Sequence, residues 1–154
     1  MNTRTQVASL VLAASTLVGI AVHEGYKDEA YIPVRGDVPT IGFGTTSGVK
    51  MGDKTTPERS LVRLLDEIEG VYAAGVRRCV TVPLYRHEYE AYVSLAYNIG
   101  VSAFCRSTLV KLLNQERYAE ACEQIKRWNR AGGKVLRGLT IRREAEYKQC
   151  MGLA

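Results

Sequence analysis

Histidine is nearly missing from this chain: His23 and His87 are the only two in 154 residues. No Cys-x-x-Cys pair occurs, and none of the cysteine spacings resembles a zinc site. A metal-dependent hydrolase is therefore not expected, and neither is a metal or any other cofactor. There is no nucleic-acid-binding motif, and the basic residues are not interleaved with an aromatic stacking platform, so a nucleic-acid partner is not expected either. Internal repeats and low-complexity linkers are also lacking, which argues for one domain with a real core. Two further absences are local. No charged residue lies between Thr5 and Val22, and no cysteine precedes Cys79.

The residues present describe an ordinary folded protein, 46% hydrophobic and 24% charged. The net charge is +5, with much of the excess in residues 130–147. It suits an anionic partner such as a membrane surface or a cell-wall polymer, or simply keeps the surface solvated. Cys79, Cys105, Cys122 and Cys150 make an even set, as exported proteins favour. Four cysteines permit three pairings, and spacing does not choose among them. We favour 122–150 with 79–105, because Cys122 and Cys150 both fall in predicted helices of the C-terminal half. Four buried thiols are the alternative.

The uncharged run Thr5–Val22 is 18 residues long, at the lower limit for a bilayer span of roughly 20 residues. Thr5, Gln6, Ser9, Ser15 and Thr16 dilute its Leu, Val and Ile content, as do small residues such as Ala8, Ala13 and Gly19. Such a segment can enter a membrane without being held firmly. Arg4 supplies a positive N-terminal flank, so the rest of the chain should face outward. Three fates are open: cleavage after the small-x-small site Gly19-Ile20-Ala21, permanent anchoring, or anchoring followed by release.

Helical spacing over residues 11–24 directs Leu17, Ile20, Ala21 and Val22 toward a core, and Gly25 can end that helix. Ala30–Ile32 and Thr40–Phe43 are short β-prone pieces around a turn at Arg35-Gly36-Asp37, which reads as a hairpin. Thr55 and Glu58 have capping-box spacing, with Pro57 in the first turn. Leu61, Leu64, Leu65, Ile68, Tyr72 and Val76 then predict one helix from about 57 to 78. Further helices are predicted over 85–98, from Ser107-Thr108 through Leu113, over 118–128 and over 140–151. A small β region followed by many helices is an α+β arrangement.

Cleavage of a glycosidic bond needs one protonated carboxyl and one ionised carboxylate, set apart by their surroundings. Glu24, closing an apolar helix, could be partly desolvated, which favours its neutral, proton-donating form. Asp37, in a polar turn beside Arg35, favours ionisation. Thr40 could orient a water shared with Asp37. The plain alternative is a solvated Glu24 at a helix end and an Asx turn at Asp37.

The residues Glu24-Gly25, Tyr31 and Pro39-Thr40-Ile41-Gly42-Phe43-Gly44 resemble the glutamate-to-threonine region of phage-type lysozymes, glycoside hydrolase family 24. Ala96–Gly100, Phe104–Leu109, Arg127–Lys134 and Leu136–Glu144 resemble that family in the same order. The whole chain resembles signal-anchor-release endolysins. One departure stands out. The family places its aspartate nine residues after the glutamate, and that position here is Pro33. Asp37, the only acidic residue between Tyr31 and Thr40, is assigned the role instead.

The resemblance implies a lysozyme-like α+β fold with two lobes, a small β-hairpin lobe and a mainly helical C-terminal lobe, joined by a long helix and bounding a sugar cleft. It implies a muramidase that cuts the β-1,4 bond between N-acetylmuramic acid and N-acetylglucosamine, by an inverting course. Glu24 would be the acid, Asp37 the partner carboxylate and Thr40 the water orienter. Asn98, Gly132, Gly133 and Arg142 are the candidate substrate-binding residues; for the two glycines a turn role serves as well, and Trp128 is read as core. Residues 1–22 are expected to form a signal-anchor-release segment and 23–154 the catalytic domain. The same residues 5–22 cannot both span the inner membrane and build the helix that carries Glu24, which favours release into the periplasm over cleavage or permanent anchoring. Peptidoglycan is the expected partner, and a monomer the expected state. A lytic transglycosylase or a non-catalytic membrane-tethered wall-binding protein would be the rivals.

Overall fold

A computed structural model describes residues 3–154; residues 1 and 2, the start of the expected signal-anchor segment, lie outside it. The chain forms two compact units. One comprises Ala13–Glu69, and the other takes the N-terminal residues through Leu12 together with Gly70–Ala154.

The Ala13–Glu69 unit begins with α1 (Ala14–Glu24), shorter at its start than the spacing predicts. Gly25 ends the helix at φ 72°, where its amide donates to the Ala21 carbonyl at 3.2 Å. Ile20 and Ala21 are buried, whereas Val22, expected to face the core, is 74% exposed. Strands β1 (Lys27–Tyr31) and β2 (Thr40–Gly42) pair antiparallel, with Lys27 opposite Gly42, Tyr31 opposite Thr40 and an irregularity between. Ala30, Ile41 and Val49 form a small apolar cluster. After β2 the chain turns sharply, and Ile41 and Thr45 exchange both backbone hydrogen bonds.

Helix α2 (Pro57–Glu67) closes this unit. Its cap is Thr56 rather than the expected Thr55: the Thr56 hydroxyl accepts from the Arg59 amide. Thr55 instead contacts the Ser60 hydroxyl at 3.0 Å, and its amide donates to the Asp28 carbonyl, tying the helix start to β1. β2 packs against α2 at Gly42, where an added Cβ would stand 2.5 Å from Ser60 Oγ. Gly42 also has φ 64°, so both space and backbone call for glycine there. The single helix predicted over 57–78 is interrupted. α2 passes into a π-helical stretch, Ile68–Ala73, and then α3 (Ala74–Cys79). Leu65, expected inside, precedes this stretch and is 37% exposed.

In the helical unit, α4 (Arg86–Ile99) is the core element: Tyr89, Ala91, Tyr92, Val93, Leu95 and Ala96 are fully buried. α5 (Val101–Cys105), α6 (Thr108–Leu113), α7 (Tyr118–Gln124) and α8 (Arg137–Cys150) follow, with a 3-10 turn at Ile125–Arg127. α8 packs on α4. Ser107 caps α6 by accepting from the Val110 amide. Disulfides join Cys79 to Cys105 and Cys122 to Cys150, with Cα separations of 5.6 and 5.7 Å.

The N-terminal residues dock on this unit. Thr5 and Leu84 exchange backbone hydrogen bonds of 2.8 and 2.9 Å, and Val7 and Leu10 are buried. Arg4 reaches Glu88 with Nη2 at 2.8 Å and Nε at 3.1 Å, while its guanidinium carbon lies 3.6 Å from the Tyr118 ring centroid and 4.3 Å from that of Tyr85. The uncharged run thus divides its apolar side chains between the two units. No helix among the described residues is long and apolar enough to cross a membrane.

Candidate active site

Glu24 is the last residue of α1 and is half-buried. Asp37 lies in the exposed turn that follows β1. Its amide donates to the Val34 carbonyl at 2.9 Å, and its Oδ1 accepts from the Val38 amide at 2.9 Å. Thr40 is the first residue of β2, 5% exposed, and its hydroxyl donates to the Val38 carbonyl at 3.1 Å. Val38 therefore ties both side chains, one through its N–H and the other through its C=O. With its proton committed to Val38, the Thr40 oxygen is left as an acceptor for a water.

A second carboxyl on this unit was not singled out from the sequence. Glu67, the last residue of α2, is half-buried, and its Oε2 has no hydrogen-bond partner. Burial pushes its pKa up from the ordinary glutamate value; Arg63 opposes the shift, and the negative charge of Glu24 adds to it. The available signal was an acidic residue three positions after Leu64, on the stripe whose neighbours Leu64 and Ile68 are fully buried.

The candidate binding residues all belong to the helical unit. Asn98, exposed near the end of α4, lines a cavity of about 470 Å³ with Ile99, Trp128, Arg130, Ala131, Leu136 and Leu139. Trp128, read as core from its spacing, is half-buried and also borders a second cavity of about 380 Å³ with Arg106 and Arg127. The predicted 118–128 helix ends early in the 3-10 turn, which leaves this indole at the helix terminus. Gly132 and Gly133, at φ 55° and 76°, form the turn of a two-residue-strand hairpin, β3 (Arg130–Ala131) with β4 (Lys134–Val135). That is the turn alternative raised for them.

Arg142 is buried rather than presented to solvent, with Nε 3.3 Å from Glu146 Oε1. Arg143, 1% exposed, holds the same carboxylate at 2.8 and 3.1 Å, and Ser94 donates to it at 2.7 Å. Burial pushes the Glu146 carboxyl up and the Arg143 guanidinium down, and their mutual attraction opposes both shifts. This cluster joins α8 to α4. No group of His, Cys, Asp and Glu among the described residues could hold a metal ion.

The carboxyl at the end of α1 and the hairpin carrying a carboxylate and a hydroxyl are the groups that cleavage of a glycosidic bond needs. The phage lysozyme family profile matches residues 21–146, and the chain belongs to that family. It is 39% identical over 142 residues to the SAR-endolysin of Pseudomonas phage phiKMV, covering 90% of this chain and 87% of that one. It is 31% identical over 145 residues to the SAR-endolysin of Enterobacteria phage P21, covering 93% and 88%. Among solved structures, the endolysin from Escherichia coli O157:H7 phage FAHEc1 superposes with a TM-score of 0.82 at 32% identity, covering 99% of this chain and 98% of that one. The chain is a glycoside hydrolase, a phage muramidase of host lysis, and its α+β fold is that of phage lysozymes. Peptidoglycan is the substrate that the family implies.

Proposed function

We propose that this lysozyme hydrolyses the β-1,4 bond after N-acetylmuramic acid through Glu24, Asp37 and Thr40. Glu24 gives its proton to the leaving glycosidic oxygen. Asp37 and Thr40 each accept a proton of one water, which turns its lone pair toward the anomeric carbon, and Asp37 takes up the proton as the new bond forms, with inversion. Asn98 and the surface around Trp128 contact the sugar chain.

The observation that carries this reading is the pair of hydrogen bonds at Val38, whose N–H donates to Asp37 and whose C=O accepts from Thr40. They fix the carboxylate and the hydroxyl to one residue and leave the threonine oxygen free to accept. Asp37 thereby occupies the chemical role that Pro33, in the family's usual aspartate position, cannot fill. Product analysis on purified peptidoglycan is the test. Mass spectrometry of the parent's products should show water added across the cut bond, and Glu24→Gln should abolish cleavage with the fold retained. Anhydro-sugar products would indicate a transglycosylase instead, and wall binding without any product a tethered binding protein.

The regulation is part of the same proposal. The names of the phiKMV and P21 relatives suggest export to the periplasm for this chain as well. Residues 5–22 would first lie in the inner membrane as a signal-anchor and then leave it. Supporting this is the use made of the same residues in the folded protein: Val7, Leu10, Ile20 and Ala21 are buried in protein, and α1 ends on Glu24. A segment cannot satisfy lipid and core at once, so the acid is built only after release. Fractionation of cells with and without a collapsed membrane potential should move the intact chain from membrane to periplasm together with activity. Activity in the membrane-bound fraction would rule this regulation out.

A further inference from the structure

We propose that the face of the helical unit formed by Tyr85, Glu88 and Tyr118 is a receptor for Arg4, open while residues 5–22 lie in the membrane, and that its filling pulls the segment out. This rests on the release reading above and assigns that release a driving contact.

The two positions of Arg4 exclude each other. Arg4 immediately precedes the uncharged run Thr5–Val22. With that run in a bilayer, the positive flank stays on the inner side and the rest of the chain faces outward. The lipid core then separates Arg4 from Glu88. In the folded protein the guanidinium instead donates to both oxygens of Glu88, at 2.8 and 3.1 Å, between the rings of Tyr85 and Tyr118.

The receptor suits this one occupant. The Glu88 side chain is 4% exposed. Among the described residues its Oε1 accepts from Arg4 alone, while Oε2 also accepts from the Tyr85 amide. An enclosed carboxylate needs a cation beside it. The two rings come from different helices, Tyr85 preceding α4 and Tyr118 opening α7, and the Tyr118 hydroxyl donates to the Pro83 carbonyl at 3.1 Å. Beyond Arg4 the arm stays seated: Thr5 pairs with Leu84, Val7 and Leu10 are buried, and Arg77 donates to the Leu10 carbonyl at 2.9 Å. A contact made in only one of two states shifts the balance toward that state by its full free energy.

The test changes the receptor and leaves the membrane segment untouched. Cells making the full chain are fractionated after the membrane potential is collapsed. Glu88→Gln should lower the ratio of periplasmic to membrane-bound chain at least about tenfold, and Tyr118→Leu about threefold. Ser107→Ala, which weakens the helical unit at the α6 cap, should leave the ratio at the parent value. A Glu88→Gln chain released like the parent, or a Ser107→Ala chain retained as strongly as Glu88→Gln, would overturn the proposal. A synthetic peptide of residues 3–12 gives a second readout. Added to spheroplasts whose potential is intact, it should bind the anchored parent and not the released enzyme, whose receptor is filled. The same peptide carrying Arg4→Met should not bind. Equal binding to both forms, or none to the anchored form, would leave Arg4 without a receptor role. A parent never found in the membrane fraction removes the release reading itself, whereas normal release with insensitive receptor variants removes only the receptor.

Discussion

Replacing Arg4 with methionine should cost this enzyme about 3–4 kcal/mol of stability. The Glu88 side chain is 4% exposed and that of Arg4 29%, so the substitution strands a buried carboxylate. Removing one partner of a buried pair costs about 3–5 kcal/mol. The lower end applies, because the Tyr85 amide still donates to Glu88 at 2.8 Å. The contacts with the Tyr85 and Tyr118 rings add about 0.5–1 kcal/mol each, and the methionine stem recovers part of that by packing. The Glu88 hydrogen bond pushes the Arg4 guanidinium pKa further up, against the opposing effect of burial, so the arginine keeps its charge. For a chain of this size each kcal/mol moves Tm by about 2–4 °C, and a drop of roughly 10 °C is expected. Calorimetry at low and high salt is the assay, and the loss should change little with salt because the Glu88 carboxylate is enclosed. Arg4→Met combined with Glu88→Gln should recover part of the loss, since no uncompensated charge remains. A Tm within about 2 °C of the parent for Arg4→Met would refute the account and make the N-terminal arm a loose appendage.

Asp37→Asn should lower kcat on peptidoglycan by at least about a hundredfold with Tm unchanged, because the exposed side chain gives up one surface hydrogen bond; near-parental turnover would point to another base. Gly42→Ala should cost about 2–3 kcal/mol in denaturant unfolding, from positive φ and from a Cβ 2.5 Å from Ser60 Oγ; a neutral result would mean the hairpin shifts freely on α2. Cys122→Ser with Cys150→Ser opens a loop of sequence separation 28 and should cost about 3–4 kcal/mol by the loop-entropy relation, read from urea unfolding. The folded state holds the Glu67 proton more tightly than the unfolded chain does, so stability should decline as pH rises above the ordinary glutamate value of 4.5, and Glu67→Gln should flatten that decline in a pH series of melts.

Periodicity carried most of the helical order. Tyr92, Leu95 and Ala96 recur on one face of α4 and are fully buried. It failed where the period itself changes. The π-helical stretch at Ile68–Ala73 has no marker that Leu65 or Tyr72 would betray. α5 is only five residues long, too short to show a period, and β3 and β4 contribute two residues each. The cap moved from Thr55 to Thr56 because two adjacent threonines offer the same chemistry, and only packing on Asp28 and Ser60 decides between them. At the site, Glu24, Asp37 and Thr40 were legible as residue types, whereas Val38 was not, since its role lies wholly in its backbone. Arg142 was read as a substrate-binding candidate, and its burial beside Arg143 and Glu146 was not legible, because the Glu146 carboxylate is held by Ser94, 52 residues away in sequence.

Tying the Asp37 carboxylate and the Thr40 hydroxyl to the two ends of a single residue, Val38, has a mechanical result. Lengthening the hairpin upstream of Val34 alters the arm's reach while the gap between the two oxygens is kept, because that gap is set locally. A hairpin built this way can change length before the turn and still hold the Asp37 carboxylate and the Thr40 hydroxyl on one residue.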